Sequence, residues 1–401
     1  MKKSIAIVGS GPAALMLAAK LDAEKFTVSI YEKNQAPSRK FLVAGKGGFN
    51  LTHSDPVKEM IEKYTPADFF RPILNAFSNS DLRSWFSSIG IPTFIGSSKR
   101  VFPEKEIKPI DVLNAILSEL KKKDVALVSS CEWKGWNENK ELLFRKNNMD
   151  PIQKADILVL ALGGGSWKVT GSDGNWTNYL QEKGVEIVPF QASNCAFGVR
   201  WTRPFLDQAE GKAVKNSSFT CLDKQKKGEA VITSSGIEGG AIYALSPQIR
   251  KQLEEQGKAE VFLDLKPAFT LAEVKNKVEG GRGTKSWTKH LEDQLRLDKV
   301  KIALIKETVS REDFMIPSRV AAKIKKLPLH IHSLAPIDEA ISTVGGVSLH
   351  AIDSKFELKQ IAGCYAIGEM LDWDAPTGGY LLQACFSMGA FLAEHLNKTK
   401  G

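Results

Sequence analysis

The stretch that most restricts this chain is its beginning, SIAIVGSGPAALMLAAKL at residues 4–21. Residues 4–8 form a short apolar run that reads as a buried strand, and 15–21 read as a helix. A second strand, 27–31, ends at Glu32. Between the first strand and the helix lie Gly9, Ser10, Gly11, Pro12, Ala13 and Ala14. This is G-x-G-x-x-A inside a βαβ unit, with an acid 23 residues after the first glycine. Gly9 permits the sharp turn, and Gly11 has no side chain to block a pyrophosphate. Pro12 and Ala13 belong to the same cofactor-binding turn, and Ala14 is small enough for helix and strand to pack closely. The helix N-terminus carries about half a positive charge for phosphates. Glu32, followed by Lys33, accepts hydrogen bonds from ribose hydroxyls and repels a 2′-phosphate. An adenine dinucleotide is expected here, with its identity open at this point.

The same stretch imitates a secretory leader, with two lysines before an apolar run. Gly-Ser-Gly-Pro would break such a leader in its middle, so that reading is set aside. No other stretch reaches the ~18 uninterrupted apolar residues of a membrane span, so no membrane is expected. The five cysteines, at 131, 195, 221, 364 and 385, are scattered and form no C-x-x-C pair. Neither a disulfide framework nor a zinc site is indicated, and a reducing cytoplasm fits best. The formal charge is +9, and residues 191–333 carry 25 basic against 17 acidic residues. That surplus reads either as a solvated basic surface or as a face toward a polyanion such as RNA.

Further motifs follow the first. Residues 38–52 concentrate cations, glycines and an Asn, types suited to a loop over a phosphate and a polar ring. Residues 156–162 form an apolar strand ending in Gly163, Gly164 and Gly165, which matches the carboxyl edge of a doubly wound sheet. The Trp133 and Trp136 pair reads as hairpin core or as packing on an adenine. Between 191 and 333 the pattern changes to short strands and turns, then to a helical, lysine-rich segment from Leu271 to Leu327. Strands and glycines resume at 342–347 and at 363–367.

The combination GSGPAA (9–14), SRKFLVAGKGGFNLTHS (38–54), ALGGGSWKVTGSDG (161–174), GEAVITSSGIEGGAIYALS (228–246) and ISTVGGV with GEMLDWDAPTGGYLLQACFSMG (341–347, 368–389) resembles one bacterial flavoprotein family. It is the family of FAD-dependent oxidoreductases labelled BaiN-type or aminoacetone-oxidase-like, and the match runs in order from residue 5 to about 393. The resemblance implies an α/β fold: a glutathione-reductase-like FAD-binding Rossmann domain with an inserted β-rich plus helical domain. The expected bounds are 1–190 and 334–401 for the FAD domain and 191–333 for the insert, β-rich to 265 and helical from 266.

By the same resemblance, Gly9, Gly11, Ala13 and Ala14 hold the pyrophosphate and Glu32 the ribose. Arg39, Lys40, Gly47, Gly48, Asn50 and Leu51 form the loop over the flavin end. Ala161, Leu162, Gly163 and Gly164 line the adenine-side crossover. Gly368, Glu369 and Asp372 reach the ribityl chain and pyrophosphate, with Gly379, Tyr380 and Leu381 at the isoalloxazine ring. Two departures stand out: Gly48-Phe49 replaces a common Arg-Cys, and Ser234-Ser235 a common Thr-His. No second intact G-x-G-x-x-G region is present, so NAD(P)H would dock transiently or another donor is used.

The flavin carries the redox chemistry, and two-electron hydride transfer is expected. The C-terminal turn reads as a helix N-terminus aimed at the N1–C2=O edge of the ring, with Gly378 and Gly379 admitting the backbone to it. No catalytic residue is assigned. His53 reads as a solvent-exposed loop histidine or a cap partner, Tyr380 as packing on the ring edge, and Asp374 as a flanking acid. His330 and His332 lack a nearby acid in sequence, so no metal is expected. Three functions remain: a small-molecule oxidoreductase, an RNA-modifying enzyme reducing uridine in ribosomal RNA through the basic insert, and a binding protein with structural FAD.

Overall fold

The structure, a computed structural model, describes residues 2–43, 48–139, 141–146, 149, 151–281 and 283–399. The chain divides into two compact units, residues 1–192 with 341–401, and residues 193–340.

The first unit is built on five parallel strands. Their order is Cys364–Ala366, Ile157–Leu160, β1 (Lys3–Val8), β2 (Phe26–Tyr31) and β6 (Ala126–Val128). Strands covered on both faces read as continuous apolar runs rather than alternating ones. Ile157–Leu160 is buried at every position, and Ile5–Val8 likewise. Helix α1 (Pro12–Lys20) buries every residue from Ala13 to Ala19, because the C-terminal helix Tyr380–Thr399 covers it. The approach is very close. A side chain on Gly389 would collide with the Ala13 carbonyl and the Leu17 amide. The first and last stretches of the chain are thereby fixed together.

Short elements attach to this frame. Helix α2 (Arg39–Val43) follows the second strand. Strands β3 (Thr52–His53), β4 (Thr93–Ile95) and β5 (Arg100–Pro103) form an antiparallel sheet in the order β3-β5-β4. In a second small sheet Leu142–Arg145 lies between Glu132–Trp136 and Ile152–Gln153. Strands Ile187–Ser193 and Ser342–Val347 pair with one another where the chain leaves this unit and returns.

The second unit holds a seven-stranded antiparallel sheet and a core of its own, including Phe219, Ile232, Leu263, Leu304 and Ile324. Its longest hairpin pairs Ala213–Cys221 with Lys224–Thr233. Helices Leu271–Glu279, Trp287–Leu295, Lys299–Thr308 and Pro317–Lys325 follow. The segment read as helical ends differently. Leu327–Ile331 is a strand beside Ala259–Asp264, burying Leu327, Leu329 and Ile331 at every second position. Its period of two, not its composition, decides the matter. Lys301 is 4% exposed and donates to the carbonyls of Leu265 (2.8 Å) and Asn216 (3.4 Å). Burial pushes its pKa down to about 8. Among the described residues no helix is long and apolar enough to cross a membrane.

Candidate functional site

The turn from β1 to α1 contains two glycines with different duties. Gly9 has φ +99°, and a side chain there would strike the Ala161 carbonyl at the end of the neighbouring strand. Packing requires it to be glycine. Gly11 has φ −71°, open to any residue, and nothing lies within 4 Å of an added Cβ. No contact among the described residues demands a glycine there. The amides of the first turn of α1 have no side-chain cap, so open space in front of a nine-residue helix stands ready for an anion.

Glu32, at the end of β2, is 8% exposed and held from several sides. One carboxylate oxygen accepts from Ser10 Oγ (2.5 Å); the other accepts from the amide and the side chain of Asn34, both at 2.8 Å. Ser10 in turn accepts the Ser38 amide at 3.0 Å. Lys33 pairs with Asp173 at 2.8 Å, which ties β2 to the 171–174 turn. Lys40 on α2 donates to Ser166 Oγ and Glu369, both at 3.0 Å, while Arg39 is exposed. Glu369 also accepts the Thr343 amide (3.3 Å), and Asp372 accepts the Gly345 amide (2.9 Å). Gly164 leaves no room for a side chain beside Thr343 and Glu369, and Gly163 has φ +73°. Gly368, at φ +86°, lies against Ala13. Thus Gly9–Ala14, Glu32, Lys40, Ala161–Gly164, Gly368, Glu369 and Asp372 converge on the carboxyl edge of the parallel sheet.

At the other end, Gly48 has φ +112° beside Phe102, and the Asn50 amide donates to its carbonyl at 2.9 Å. Leu51 is fully buried and donates to the Val101 carbonyl at 2.8 Å. Gly47 lies outside the described residues. Gly379, at φ +100°, is pressed against the Thr52 backbone, and a side chain would collide with it. The close approach made by Gly379 is therefore to the chain itself, whereas the reading above gave it to a ligand. Gly378 is the more open of the two, with Arg100 Nε 3.6 Å from an added Cβ.

Around that turn the Tyr380 hydroxyl donates to Asp55 (2.7 Å), and Tyr64 donates to the Tyr380 carbonyl (2.8 Å). His53 stacks on Tyr380 with ring centroids 4.9 Å apart. Its Nδ1 accepts the Asp55 amide at 3.2 Å. Burial lowers the His53 pKa despite Asp55, with Lys99 and Arg100 adding to the effect. The imidazole is thus neutral at pH 7 and engaged by backbone. For Asp55, burial raises the pKa but is outweighed by Tyr380, His53 and Lys99, so the carboxyl stays below its usual range. Burial, then the Asp55 bond and charge, drive the Tyr380 phenol far upward. Its proton stays on the phenol, shared toward Asp55.

The HI0933-like protein Rossmann domain model matches residues 3–395, which takes in this entire arrangement. The chain belongs to the HI0933-like family. The Rossmann domain is the one that this family model describes. One relative is a 3-dehydro-bile acid delta(4,6)-reductase of Clostridium scindens, 25% identical over 418 residues that span 96% of this chain and 97% of the relative. Another is a ribosomal RNA dihydrouridine synthase of Haemophilus influenzae, 24% identical over 412 residues and 95% of each chain. Among solved structures, the 3-ketosteroid delta1-dehydrogenase from Sterolibacterium denitrificans in complex with 1,4-androstadiene-3,17-dione aligns with a TM-score of 0.52. That alignment covers 99% of this chain and 100% of the other at 12% identity, a likeness of fold.

Some residues of this HI0933-like chain stand apart from the group. Trp133 is 5% exposed and packs T-shaped with Trp136 (4.9 Å) and Tyr179 (5.5 Å). His330 and His332 sit in the second unit. His330 lies 3.6 Å from Glu260, and His332 is held on the Gly198 carbonyl. Among the described residues no group of three His, Cys, Asp or Glu is placed to hold a metal. Asp374 exchanges backbone hydrogen bonds with Thr65 and is 4% exposed. Ser10, Asn34, Asp55 and Arg100 were not singled out from sequence. Ser10 and Asn34 flank motif residues and were within reach of it, but Asp55 and Arg100 come to the Tyr380 turn only through the fold.

Proposed function

We propose that the chain binds one FAD without a covalent bond and uses it for two-electron hydride transfer on a small-molecule substrate. Gly11 carries this reading: its glycine answers to no contact among the described residues, only to space in front of the α1 N-terminus. When bound, FAD supplies the hydride chemistry, and the protein supplies binding, orientation and electrostatics. Gly9–Ala14 with the α1 N-terminus would hold the pyrophosphate. Glu32, pre-set by Ser10 and Asn34, would take the ribose hydroxyls. Lys40, Glu369 and Asp372 would meet the ribityl and phosphate region, with Ala161–Gly164 and Gly368 lining it. Arg39, Gly48, Asn50, Leu51, Tyr380 and Leu381 would flank the ring. Asp55 holds the Tyr380 proton in place at the phenol oxygen. NAD(P)H is the proposed transient reductant. All five cysteines are buried free thiols, which supports a cytoplasmic setting.

The test is anaerobic titration of the flavin-loaded protein with NADH or NADPH. Bleaching of the flavin band within seconds supports a nicotinamide-driven reductase. An unbleached flavin with either donor removes NAD(P)H from the account.

A second reading, reduction of a uridine in RNA, is favoured by the named activity of the Haemophilus relative and by the lysines of the second unit. Lys226 and Lys227 are exposed on the strand Lys224–Thr233. A charge run of this kind also arises as a solvated face, which needs no RNA. Salt-sensitive binding of ribosomal RNA at low ionic strength separates the two.

A further inference from the structure

The β3-β5-β4 sheet has two unlike faces. Thr52 and Val101, paired across β3 and β5, are both fully buried. The opposite face carries His53, Arg100, Phe102 and Phe94. His53 is the register partner of Arg100, and Phe94 that of Phe102. Residues two apart on a strand share a face, so Arg100 and Phe102 lie on one side of β5. All four are half-buried rather than sealed in the core. The two phenyl rings stack with centroids 5.7 Å apart and planes at 28°.

Arg100 has no ion-pair partner among the described residues. The acid that holds Tyr380, Asp55, is already taken by the Tyr380 hydroxyl (2.7 Å) and Lys99 (3.6 Å). His53 is kept neutral, so it neither neutralises nor reinforces the guanidinium. A partly desolvated guanidinium without a counter-charge is costly to hold, and a planar anion relieves that cost through paired N–H donors. The side chain lies beside Gly378, at the turn assigned above to the flavin end.

We infer that this face is a substrate subsite in which Arg100 binds a carboxylate while Phe94 and Phe102 receive a flat, conjugated skeleton. The inference rests on the flavin reading for its place beside the redox centre, but its chemistry is set by these four side chains. Arg100 acts here as a specificity-determining residue. It selects an anionic end, and the ring pair selects planarity.

The experiment uses the flavin-loaded full chain, with its FAD content measured first. Cinnamate is the probe, and cinnamamide is the uncharged control of the same shape. Cinnamate is expected to perturb the flavin absorption band and to shield Arg100 from phenylglyoxal, read by peptide mass spectrometry. Cinnamamide should bind about tenfold more weakly, as expected for loss of a charge-assisted hydrogen-bond pair. Arg100→Gln should remove the preference for cinnamate while leaving FAD affinity unchanged, and Arg100→Lys should retain part of it. Equal binding of the two probes, or an Arg100 that cinnamate does not shield, overturns the subsite. So does an Arg100→Gln protein whose flavin potential moves while its cinnamate affinity does not, because the cation then serves the cofactor. A protein that takes up no FAD removes the flavin reading instead, and shielding of Arg100 can still be scored on it.

Discussion

At the scale of single residues, glycine identity separates what the fold needs from what a ligand needs. Gly9 and Gly379 are held to glycine by the Ala161 carbonyl and the Thr52 backbone, and both have positive φ. Gly379→Ala is therefore expected to destabilise the first unit by about 2–4 kcal/mol, through strain and collision together. Thermal unfolding reads this directly; an unchanged transition would mean the turn can open without cost. A different residue sets a pH response in the second unit. The Lys301 pKa is about 8 in the fold, against about 10.4 in an unfolded chain. Between those values the unfolded state binds more protons, so stability rises with pH over that window. Urea unfolding at pH 7 and pH 9 should show about 1 kcal/mol gained from this group, and Lys301→Met should lose that increment. The same gain in both proteins would assign it to other groups.

At the scale of elements, the site depends on pieces that meet from opposite ends of the chain. The C-terminal helix packs on α1 at Gly389, where a side chain would enter the Ala13 carbonyl and the Leu17 amide. Gly389→Val should cost at least about 2 kcal/mol and release FAD, with the second unit's own transition unmoved. Retained FAD affinity would show that α1 keeps its pose without this contact. The β1–turn–α1–β2 element was legible in sequence because its signals are local: a buried run, two glycines, and an acid at the end of the second strand. The β3-β5-β4 sheet was not, because its strands are two to four residues long and lack a sustained alternation. Arg100 gains meaning only from pairing with His53, far earlier in the chain. The partner of Gly379, Thr52, is hidden from sequence for the same reason. The strand Leu327–Ile331 alternates clearly, yet it follows a long lysine-rich helical stretch whose pattern masks it.

For the whole molecule, two cores imply two separable folding units. The strands Ile187–Ser193 and Ser342–Val347 pair where the chain leaves and re-enters the first unit. Joining Ala192 to Ile341 through a short glycine linker should thus leave a folded protein that still binds FAD. Residues 193–340 alone should unfold in one cooperative transition. If neither piece folds, the units depend on one another for stability. The central claim, that open space at Gly11 is the pyrophosphate end of an FAD site, is tested most directly by titrating flavin-stripped protein with FAD, wild type beside Gly11→Val. The wild type should bind one FAD per chain, released intact by denaturation. Gly11→Val should bind it at least about a hundredfold more weakly, with unfolding of the stripped protein unchanged. Equal FAD affinity in the two proteins, or no uptake by either, would contradict it.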